Sequence, residues 1–276
     1  MKSLEFLWAI FFHVFCLAGF AFLIVPLLVI IPLGFNAGDF LTFPMTGYSL
    51  RWYWELFGSS QWLPPMLNSF FISLVAAAIA TCLGTAAALG LTRTGPILRY
   101  PQLAIFLMPV IMPVAVLAVG IYFAFVRLGL QNTFAGLILA HAGLGAPFVV
   151  TTVGATLKGF DERLVQAGQS LGASPATVFR RITFPLVLPG ILSGAVFAFA
   201  VSFDDVVIAL FLAGPDQRTL PLQMFSGMRE NTSPAIAAAA AFMMVIAVLL
   251  LVTVQLLRRR TEMRIRGRAE GEAGRA

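Results

Sequence analysis

Two adjacent carboxylates, Asp204 and Asp205, interrupt a long apolar stretch of the sequence. A charged side chain is costly inside a membrane-spanning segment, so it usually faces a cavity, a partner or a transported solute. Carboxylates in an otherwise apolar path could compensate the positive charges of a cationic solute. The alternatives are that one of them caps a broken helix, or that it pairs with a basic residue of another chain. The sequence does not distinguish the two aspartates.

Two aromatic residues could contribute to the same path. Phe203 directly precedes the aspartates, and Tyr122 lies in an earlier apolar run. Aromatic faces attract cations at close range, which makes both residues candidates for cation–π contacts with the solute. Plain packing between helices is the alternative for both.

Other reactive side chains are few. His13 and His141 lie in separate apolar runs, and we expect His141 to make a helix–helix contact, with a proton relay as the alternative. Cys16 and Cys82 are too few for a disulfide framework. The sequence shows no nucleophile–base pair, no metal-ligand cluster and no Gly-rich phosphate loop. We therefore expect neither catalysis nor a metal or cofactor in this chain.

The composition indicates where these residues must work. Of the 276 residues, 59% are hydrophobic and 11% are charged, whereas soluble domains carry about 25% charged residues. The net charge is +6, but the basic residues cluster at the ends of apolar runs, as topology signals do. The composition therefore predicts a membrane protein in contact with lipid and argues against a nucleic-acid partner.

Six apolar runs are long enough to cross a bilayer, which takes about 20 residues. They cover residues 8–32, 66–91, 101–126, 133–157, 186–212 and 234–257, and Pro109 and Pro113 interrupt the third. We predict an all-α membrane protein of six transmembrane helices. Its parts would be a first membrane helix with an outer interfacial segment (1–65), a core of five membrane helices (66–257), and a basic, disordered cytoplasmic tail (258–276).

The basic residues predict the orientation. If both termini are cytoplasmic, only four of the 18 Lys and Arg residues fall on the outer side: Arg51, Arg127, Arg218 and Arg229. The other 14 fall inside, which is a strong positive-inside bias. Both termini and the polar loop 158–185 are therefore expected on the cytoplasmic side.

The outer segments carry candidate contact residues. The Trp-Tyr-Trp-Glu cluster at residues 52–55 is typical of anchoring at the headgroup level. Contact with an extracytoplasmic protein or with cations is the alternative for this cluster. In the last outer loop, Arg218, Arg229 and Glu230 could also meet such a protein.

The cytoplasmic loop is patterned as two short helices. Gly172 falls where a first helix would end, and Ser174 followed by Pro175 is a helix-start signal. Phe179 would lie on the second helix, which we expect to end at the arginines of residues 180–181. An apolar ridge could then fit a cleft on a partner; its members are Leu171, Ala173, Ala176, Val178 and Phe179. The two arginines could contact the partner, complement the helix dipole or bind lipid headgroups.

This loop resembles that of the permease subunits of bacterial ABC importers of the type I fold. The family pattern is Glu-Ala-Ala, three residues, Gly, nine residues, then Ile-x-Leu-Pro. The matching positions here are Gln166-Ala167-Gly168, Gly172 and Ile182-Thr183-Phe184-Pro185. Gln166, Gly168 and Phe184 depart from the pattern, while the spacing from Gly172 to Ile182 and the final proline fit.

The resemblance implies that the loop couples the chain to an ATPase. The residues it marks for that contact are Gln166, Ala167, Gly168, Gly172, Ala173, Ser174, Pro175, Phe179, Arg180, Ile182 and Pro185. It also implies a heterodimer with a second permease, two ATP-binding subunits that carry ATP and Mg, and an extracytoplasmic substrate-binding protein. This chain would lie in the inner membrane of a bacterium. The chain itself would hydrolyse nothing.

Residues 202–242 are similar to the second permease of spermidine/putrescine importers, which implies a polyamine as the solute. Another small solute, such as an amino-acid-like compound or iron, is the alternative within the same family. A membrane-embedded enzyme would need a nucleophile–base pair or a metal cluster. An ion-coupled secondary transporter would often carry an internal repeat, and the polar loop favours an ATPase-driven half-pore.

Overall fold

The structure is helical throughout its regular segments. The computed structural model describes residues 2–42, 44–159, 161, 163–230 and 233–273. Within those ranges β pairing is limited to an isolated antiparallel bridge between Asn36 and Tyr48. The predicted all-α fold is therefore confirmed.

Twelve α-helices follow one another along the described chain. They are α1 (Lys2–Leu33), α2 (Arg51–Gly58), α3 (Leu63–Arg93), α4 (Pro96–Ile111), α5 (Val114–Leu128), α6 (Phe134–Lys158), α7 (Arg163–Ser170), α8 (Pro175–Val178), α9 (Phe184–Phe203), α10 (Val207–Leu212), α11 (Leu220–Glu230) and α12 (Pro234–Ala273). A π-helical turn, Phe179–Thr183, joins α8 to α9, and a 3₁₀ turn, Pro215–Gln217, precedes α11.

Five helical stretches among the described residues are long and apolar enough to span a membrane. They are Ile10–Leu33, Leu63–Thr92, Phe134–Lys158, Pro175–Phe203 and Pro234–Leu256. The predicted third span, 101–126, is instead a pair of helices, α4 and α5, bent by 102°. The bend lies at Met112 and Pro113, both with extended backbone, because proline disfavours helical geometry in the residue before it. The count reaches the predicted six when the bent pair is one span.

The predicted fifth span, 186–212, was wrong at both ends. The second loop helix does not end at residues 180–181 but continues through the π-helical turn into α9. In that turn the Phe184 N–H donates to the Phe179 carbonyl, one residue further back than in an α-helix. Pro185 has no N–H to continue the regular pattern, and the wider turn lets the helix run on past it. At the other end, α9 stops at Phe203 and α10 begins at Val207.

The predicted disorder of the tail 258–276 was also wrong for its described part. Helix α12 continues from the membrane-spanning stretch to Ala273, and residues 274–276 lie outside the described chain. The tail is rich in Arg, Glu and Ala. These residues have high helix propensity, so a helix already nucleated in the apolar stretch propagates through them.

The chain divides into two compact units that differ from the predicted parts. The first consists of Met1–Leu63 with Met224–Ile246, and the second of Pro64–Gln223 with Ala247–Ala276. Residues 224–246, predicted to lie within the core, thus belong to the unit that contains α1 and α2. Both the helix break and the polar loop 158–185 lie in the second unit.

The core of the second unit forms around α6. Helix α6 packs mainly against α9, and α10 packs against α5 and α6. One buried cluster includes Ile72, Leu137 and Ile208, and a second includes Val149 and Val187. These contacts fix the end of α9 and the start of α10, where the aspartates lie.

The first unit contains an ordered loop between α1 and α2 that is organised by Asn36. This side chain is fully buried: its oxygen accepts hydrogen bonds from Gly38 N (3.2 Å) and Thr46 Oγ1 (3.3 Å), and its nitrogen donates to Phe40 O (2.9 Å). The Asn36 carbonyl also accepts a hydrogen bond from Trp52 Nε1 at 2.8 Å. A single amide therefore fixes the chain between α1 and α2.

Candidate functional site

The break between α9 and α10 separates the two aspartates by environment. Asp205 Oδ2 accepts hydrogen bonds from the backbone N–H groups of Ile208 (2.9 Å) and Ala209 (3.2 Å). These are free donors of the first turn of α10, so the Asp205 side chain caps that helix. The Asp204 N–H completes α9 by donating to Ala200 O at 3.1 Å, and residue 204 is exposed. Of the two aspartates, Asp204 is therefore the more exposed.

The aromatic candidates have packing roles within the chain. Phe203 is 4% exposed, and its ring stacks on Phe199 with 5.5 Å between centroids and lies 5.0 Å from Phe70. Tyr122 is partly buried against the apolar core of the second unit, and its hydroxyl accepts a hydrogen bond from Gln131 Nε2 at 3.4 Å. In this conformation neither ring is brought to the exposed side of the helix break.

His141 makes the predicted helix–helix contact. Its Nδ1 lies 2.8 Å from Ser202 Oγ of α9, and Ser202 Oγ lies 3.2 Å from Ser73 Oγ of α3. All three side chains are buried. On the other side of the ring, Nε2 lies 3.6 Å from Asp205 Oδ2. Sequence reasoning missed Ser73 and Ser202, because a serine in a membrane helix is common and its partner lies far along the chain.

The predicted end of the first loop helix at Gly172 is confirmed. Gly172 has φ +80°, and its N–H donates to Gln169 O at 2.9 Å. The following N–H, of Ala173, donates back to Gly168 O at 3.1 Å. This pair of hydrogen bonds is the Schellman motif, in which glycine adopts the left-handed conformation without a steric penalty. The turn fixes the angle between α7 and α8.

The predicted start of the second loop helix is confirmed as well. Ser174 Oγ accepts a hydrogen bond from the Thr177 N–H at 3.3 Å, and Pro175 occupies the first helical position. The predicted apolar ridge is only partly right, because Val178 is 3% exposed and faces inward. Leu171 is 88% exposed and Phe179 is 43% exposed, so these two large members of the predicted ridge lie at the surface.

Gly168 explains one departure from the family pattern. A β-carbon at this position would lie 2.9 Å from Ile182 Cδ1 and 3.3 Å from Val178 Cγ2. Gly168 is buried, whereas its neighbours Gln166 and Ala167 are exposed. The helix α7 therefore packs closely on α8 and the π-helical turn through this glycine, and Ile182 contributes to the loop by packing rather than by exposure.

A groove of about 790 Å³ opens beside the loop. From the loop it is lined by Val165, Gln166, Gln169, Pro175, Val178, Phe179 and Thr183. Its other wall comes from membrane helices, with Ala86, Leu89, Gly90 and Thr92 of α3 and Leu157 of α6. Of the lining residues, the sequence indicated Gln166, Pro175, Val178 and Phe179, whereas Val165, Gln169 and the residues of α3 carry no local signal and were missed.

The arginines of the loop do not lie at a helix end. Arg180 and Arg181 are both exposed and lie within the π-helical turn, from which the helix continues into α9. The dipole interpretation for these arginines was therefore wrong, because no C-terminal carbonyls are free there. Contact with a partner or with lipid headgroups remains for both. Pro185 is exposed in the first turn of α9.

Several outer candidates are held by local contacts. Arg218 Nη1 donates to Gln223 Oε1 at 3.0 Å, and the Arg229 guanidinium lies 5.7 Å from the centre of the Phe225 ring. Asn68 Nδ2 donates to the carbonyls of Asp216 and Arg218, which fixes the 3₁₀ turn before α11. The side chain of Glu230 lies outside the described part of the structure.

The aromatic cluster at 52–55 is divided between interior and surface. Trp52 is buried, whereas Trp54 is 74% exposed. Burial raises the pKa of the Tyr53 phenol above its usual value, so this group is neutral at physiological pH. Arg51 lies 4.8 Å from the Trp52 ring centre and forms an ion pair with Asp39 at 2.9 Å.

Comparison with known protein families shows where the chain belongs. Residues 80–263 match the family described as binding-protein-dependent transport system inner membrane component. This chain belongs to that family. The match covers the second half of α3, the whole bent pair, α6, the polar loop 158–185 and the helix break. It confirms the family resemblance inferred from the loop motif.

Curated relatives in this family are transport permeases. The chain is 34% identical over 228 residues to the spermidine/putrescine transport system permease protein PotC of Escherichia coli K12, covering 81% of this chain and 84% of PotC. It is 34% identical over 232 residues to the putrescine transport system permease protein PotI of the same organism, covering 82% of each. The molybdenum transport system permease protein ModB of Mycobacterium bovis is 32% identical over 207 residues, covering 67% of this chain and 78% of ModB.

Solved structures have the same fold. The chain superimposes on a bacterial ABC transporter involved in alginate import with a TM-score of 0.70, at 16% identity, covering 95% of this chain and 98% of that one. It superimposes on the methionine ABC transporter MetNI with a TM-score of 0.54, at 21% identity, covering 74% and 94%. The chain is thus a multi-pass inner-membrane permease subunit with an ABC importer fold.

Proposed function

We propose that this permease forms half of the translocation pore of an ATP-driven importer for polyamines. Spermidine and putrescine are cationic at neutral pH, and the solute path would use the exposed carboxylate of Asp204 to compensate one of their charges. The observation that carries the proposal is this carboxylate at a helix break, in a chain 34% identical to PotC.

The coupling to ATP would take place through the cytoplasmic loop. The exposed Leu171, Gln166 and Phe179 would enter a cleft on an ATP-binding subunit, with Arg180 at its rim. Since α8 continues through the π-helical turn into α9, this continuous helical segment would transmit movement of the loop to the helix break. ATP and Mg would be bound and ATP hydrolysed by two such subunits, and this chain would contribute no catalytic group.

The complete transporter would contain four membrane-associated subunits and a soluble one. A second permease would form the other half of the pore, and a binding protein on the outer side would deliver the solute. The positive-inside count supports cytoplasmic termini, with the outer loop of Asn36 on the opposite face. Closure of the ATPase dimer would rock the membrane helices and open the path toward the loaded binding protein.

A second candidate is the same role with a different solute. The 32% identical relative ModB is named for molybdenum transport, and amino-acid-like compounds or iron also remain candidates. An exposed carboxylate at the break disfavours an anionic solute because like charges repel. An ion-coupled secondary transporter, driven by an ion gradient in place of ATP, is the alternative to an ABC importer.

Uptake by the reconstituted complex tests the proposal. The chain would be purified with its partner subunits, placed in liposomes with ATP inside, and supplied with the binding protein and labelled spermidine. We expect saturable uptake that stops without ATP and is inhibited by excess putrescine but not by methionine or molybdate. Uptake that persists without ATP, from a preparation without an ATPase subunit, would overturn the importer role. ATP-dependent uptake of molybdate but not spermidine would overturn the polyamine assignment.

A further inference from the structure

A buried network of polar side chains joins three membrane helices to the helix break. It runs from Ser73 of α3 through Ser202 of α9 to His141 of α6, with separations of 3.2 Å and 2.8 Å. Beyond the imidazole lies Asp205, whose Oδ2 is 3.6 Å from His141 Nε2. The same oxygen accepts the backbone hydrogen bonds that start α10. The polar network therefore connects the helical core to Asp205, the residue that starts α10 after the break.

Within this buried polar network, His141 Nε2 is the atom that lacks a hydrogen-bond partner. It is fully buried and has no hydrogen-bond partner within the described residues, since 3.6 Å exceeds hydrogen-bond distance. A buried polar atom without a partner is costly, and such atoms are rare in folded proteins. The carboxylate of Asp205 is the group that faces it.

The number of available protons limits how His141 and Asp205 can form a hydrogen bond. Ser202 has one hydroxyl proton, which it can give to Ser73 or to His141 Nδ1 but not to both. If Ser73 receives it, Nδ1 must donate to Ser202, and Nε2 then presents a lone pair to the carboxylate. If the hydroxyl turns to Nδ1, the imidazole proton lies on Nε2 and points at Asp205. An ionised Asp205 requires a proton on Nε2, which is present in the second arrangement and in a protonated imidazole. This N–H forms a charge-assisted hydrogen bond after a small shift of the carboxylate.

We propose that His141 is a positioning residue for the helix break: its Nε2–H holds the Asp205 carboxylate at the start of α10 and so fixes where Asp204 faces the solute path. The inference rests on the proposed function for the role of Asp204. Helix α10 packs against α6, which carries His141, so the link sets the position of the break relative to the core. Asp205 is then a structural carboxylate, and Asp204 is the one that meets the solute.

Two substitutions of His141 distinguish the contribution of Nε2 from that of Nδ1. In His141→Gln the amide nitrogen can reach the place of Nε2 and donate to Asp205, whereas in His141→Asn the shorter side chain reaches only the Ser202 contact. Each would be made with Asp205 and with Asp205→Ser, which keeps a capping oxygen but removes the carboxylate. Spermidine uptake kinetics would be measured on reconstituted complexes, and retention of the ATPase subunit during purification would show that each variant assembles.

With Asp205 present, we expect H141Q to retain the wild-type apparent KM within about threefold and H141N to raise it on the order of tenfold, as for loss of a hydrogen bond to a charged group. In the Asp205→Ser background the two variants should give the same KM. Equal KM values for H141Q and H141N in the presence of Asp205 would overturn the proposal. A difference that persists in the Asp205→Ser background would overturn it as well, because the effect would not then pass through the carboxylate.

A labelling experiment keeps this inference distinct from the solute assignment. Asp204→Cys would be introduced into a chain whose native cysteines, Cys16 and Cys82, are replaced by alanine, and its rate of modification by a cationic thiosulfonate measured in the full complex. We expect H141N to change the rate several-fold and H141Q to leave it unchanged. Equal rates in all three chains would overturn the positioning role, even if spermidine were not the solute. Failure of wild-type spermidine uptake alone would overturn only the polyamine assignment.

Discussion

The Asp205 carboxylate accepts a hydrogen bond from the backbone N–H of Ile208 at 2.9 Å, so this acidic side chain begins a short helix just after a membrane-spanning stretch ends at Phe203. Its neighbour Asp204 ends the preceding helix through its backbone and leaves its side chain exposed. Adjacent residues of the same type therefore have different surroundings, and substitutions at the two positions should have different effects.

Replacement of Asp204 by Asn should reduce polyamine uptake on the order of tenfold, because the variant removes the exposed negative charge while keeping its size. The measurement is labelled spermidine uptake by the reconstituted complex. Asp216→Asn, an exposed carboxylate in the 3₁₀ turn, is the matched control and should transport normally. Equal uptake by D204N and the wild type would remove Asp204 from the proposed path.

Replacement of Asp205 by Ala should destabilise the second unit by about 1 kcal/mol, the usual contribution of a capping side chain. Asp205→Asn keeps an oxygen that can accept the N–H groups of Ile208 and Ala209, and it should be distinctly more stable than D205A. Denaturant unfolding in detergent measures both. If D205N and D205A unfold at the same denaturant concentration, the carboxylate does not contribute through capping.

Replacement of Gly172 by Ala should destabilise the turn between α7 and α8 by about 1–2 kcal/mol, because φ is +80° and an L-residue is strained there. We expect less stimulation of the ATPase by the loaded binding protein, since the turn fixes the coupling loop. Gly143→Ala is the control: it lies in α6 with no atom near the added methyl group, and it should not destabilise the chain because Ala is the better helix former. A G172A complex with normal stimulation would show that the turn tolerates other geometries.

Replacement of Phe179 by Ala should weaken association with the ATPase subunit while leaving the stability of the isolated chain nearly unchanged, because the ring is 43% exposed. Val178→Ala should have the opposite pattern, with a loss of about 2 kcal/mol, since this side chain is buried against Gly168. Co-purification and unfolding in detergent measure the two effects. Strong retention of the ATPase by F179A would argue that Leu171 carries the contact alone.

Replacement of Asn36 by Ala should disorder the outer loop, because three hydrogen bonds of its side chain are lost at once and their partners lie in a buried setting. Thr46→Val removes only one of them and should have a smaller effect. Limited proteolysis of the loop measures the difference. Comparable cleavage of N36A and T46V would mean that the loop is held by contacts other than the amide.

Local patterns in the sequence determined the parts of the fold that depend on neighbouring residues. The apolar runs define the membrane-spanning helices because each run must satisfy its own backbone in lipid. Gly172, Ser174 and Pro175 define the turn of the coupling loop because a cap is made within a few residues. The loop spacing was also enough to indicate the family.

Only the tertiary structure decided which side chains act together. His141 and Ser202 are 61 residues apart, and Ser202 and Ser73 are 129 apart, so no local period could join them. The different positions of Asp204 and Asp205, and the inward orientation of Val178, depend on how α9 and the loop pack against their neighbours. Packing places each side chain on one face of its element, and a sequence of adjacent, similar residues does not contain that choice.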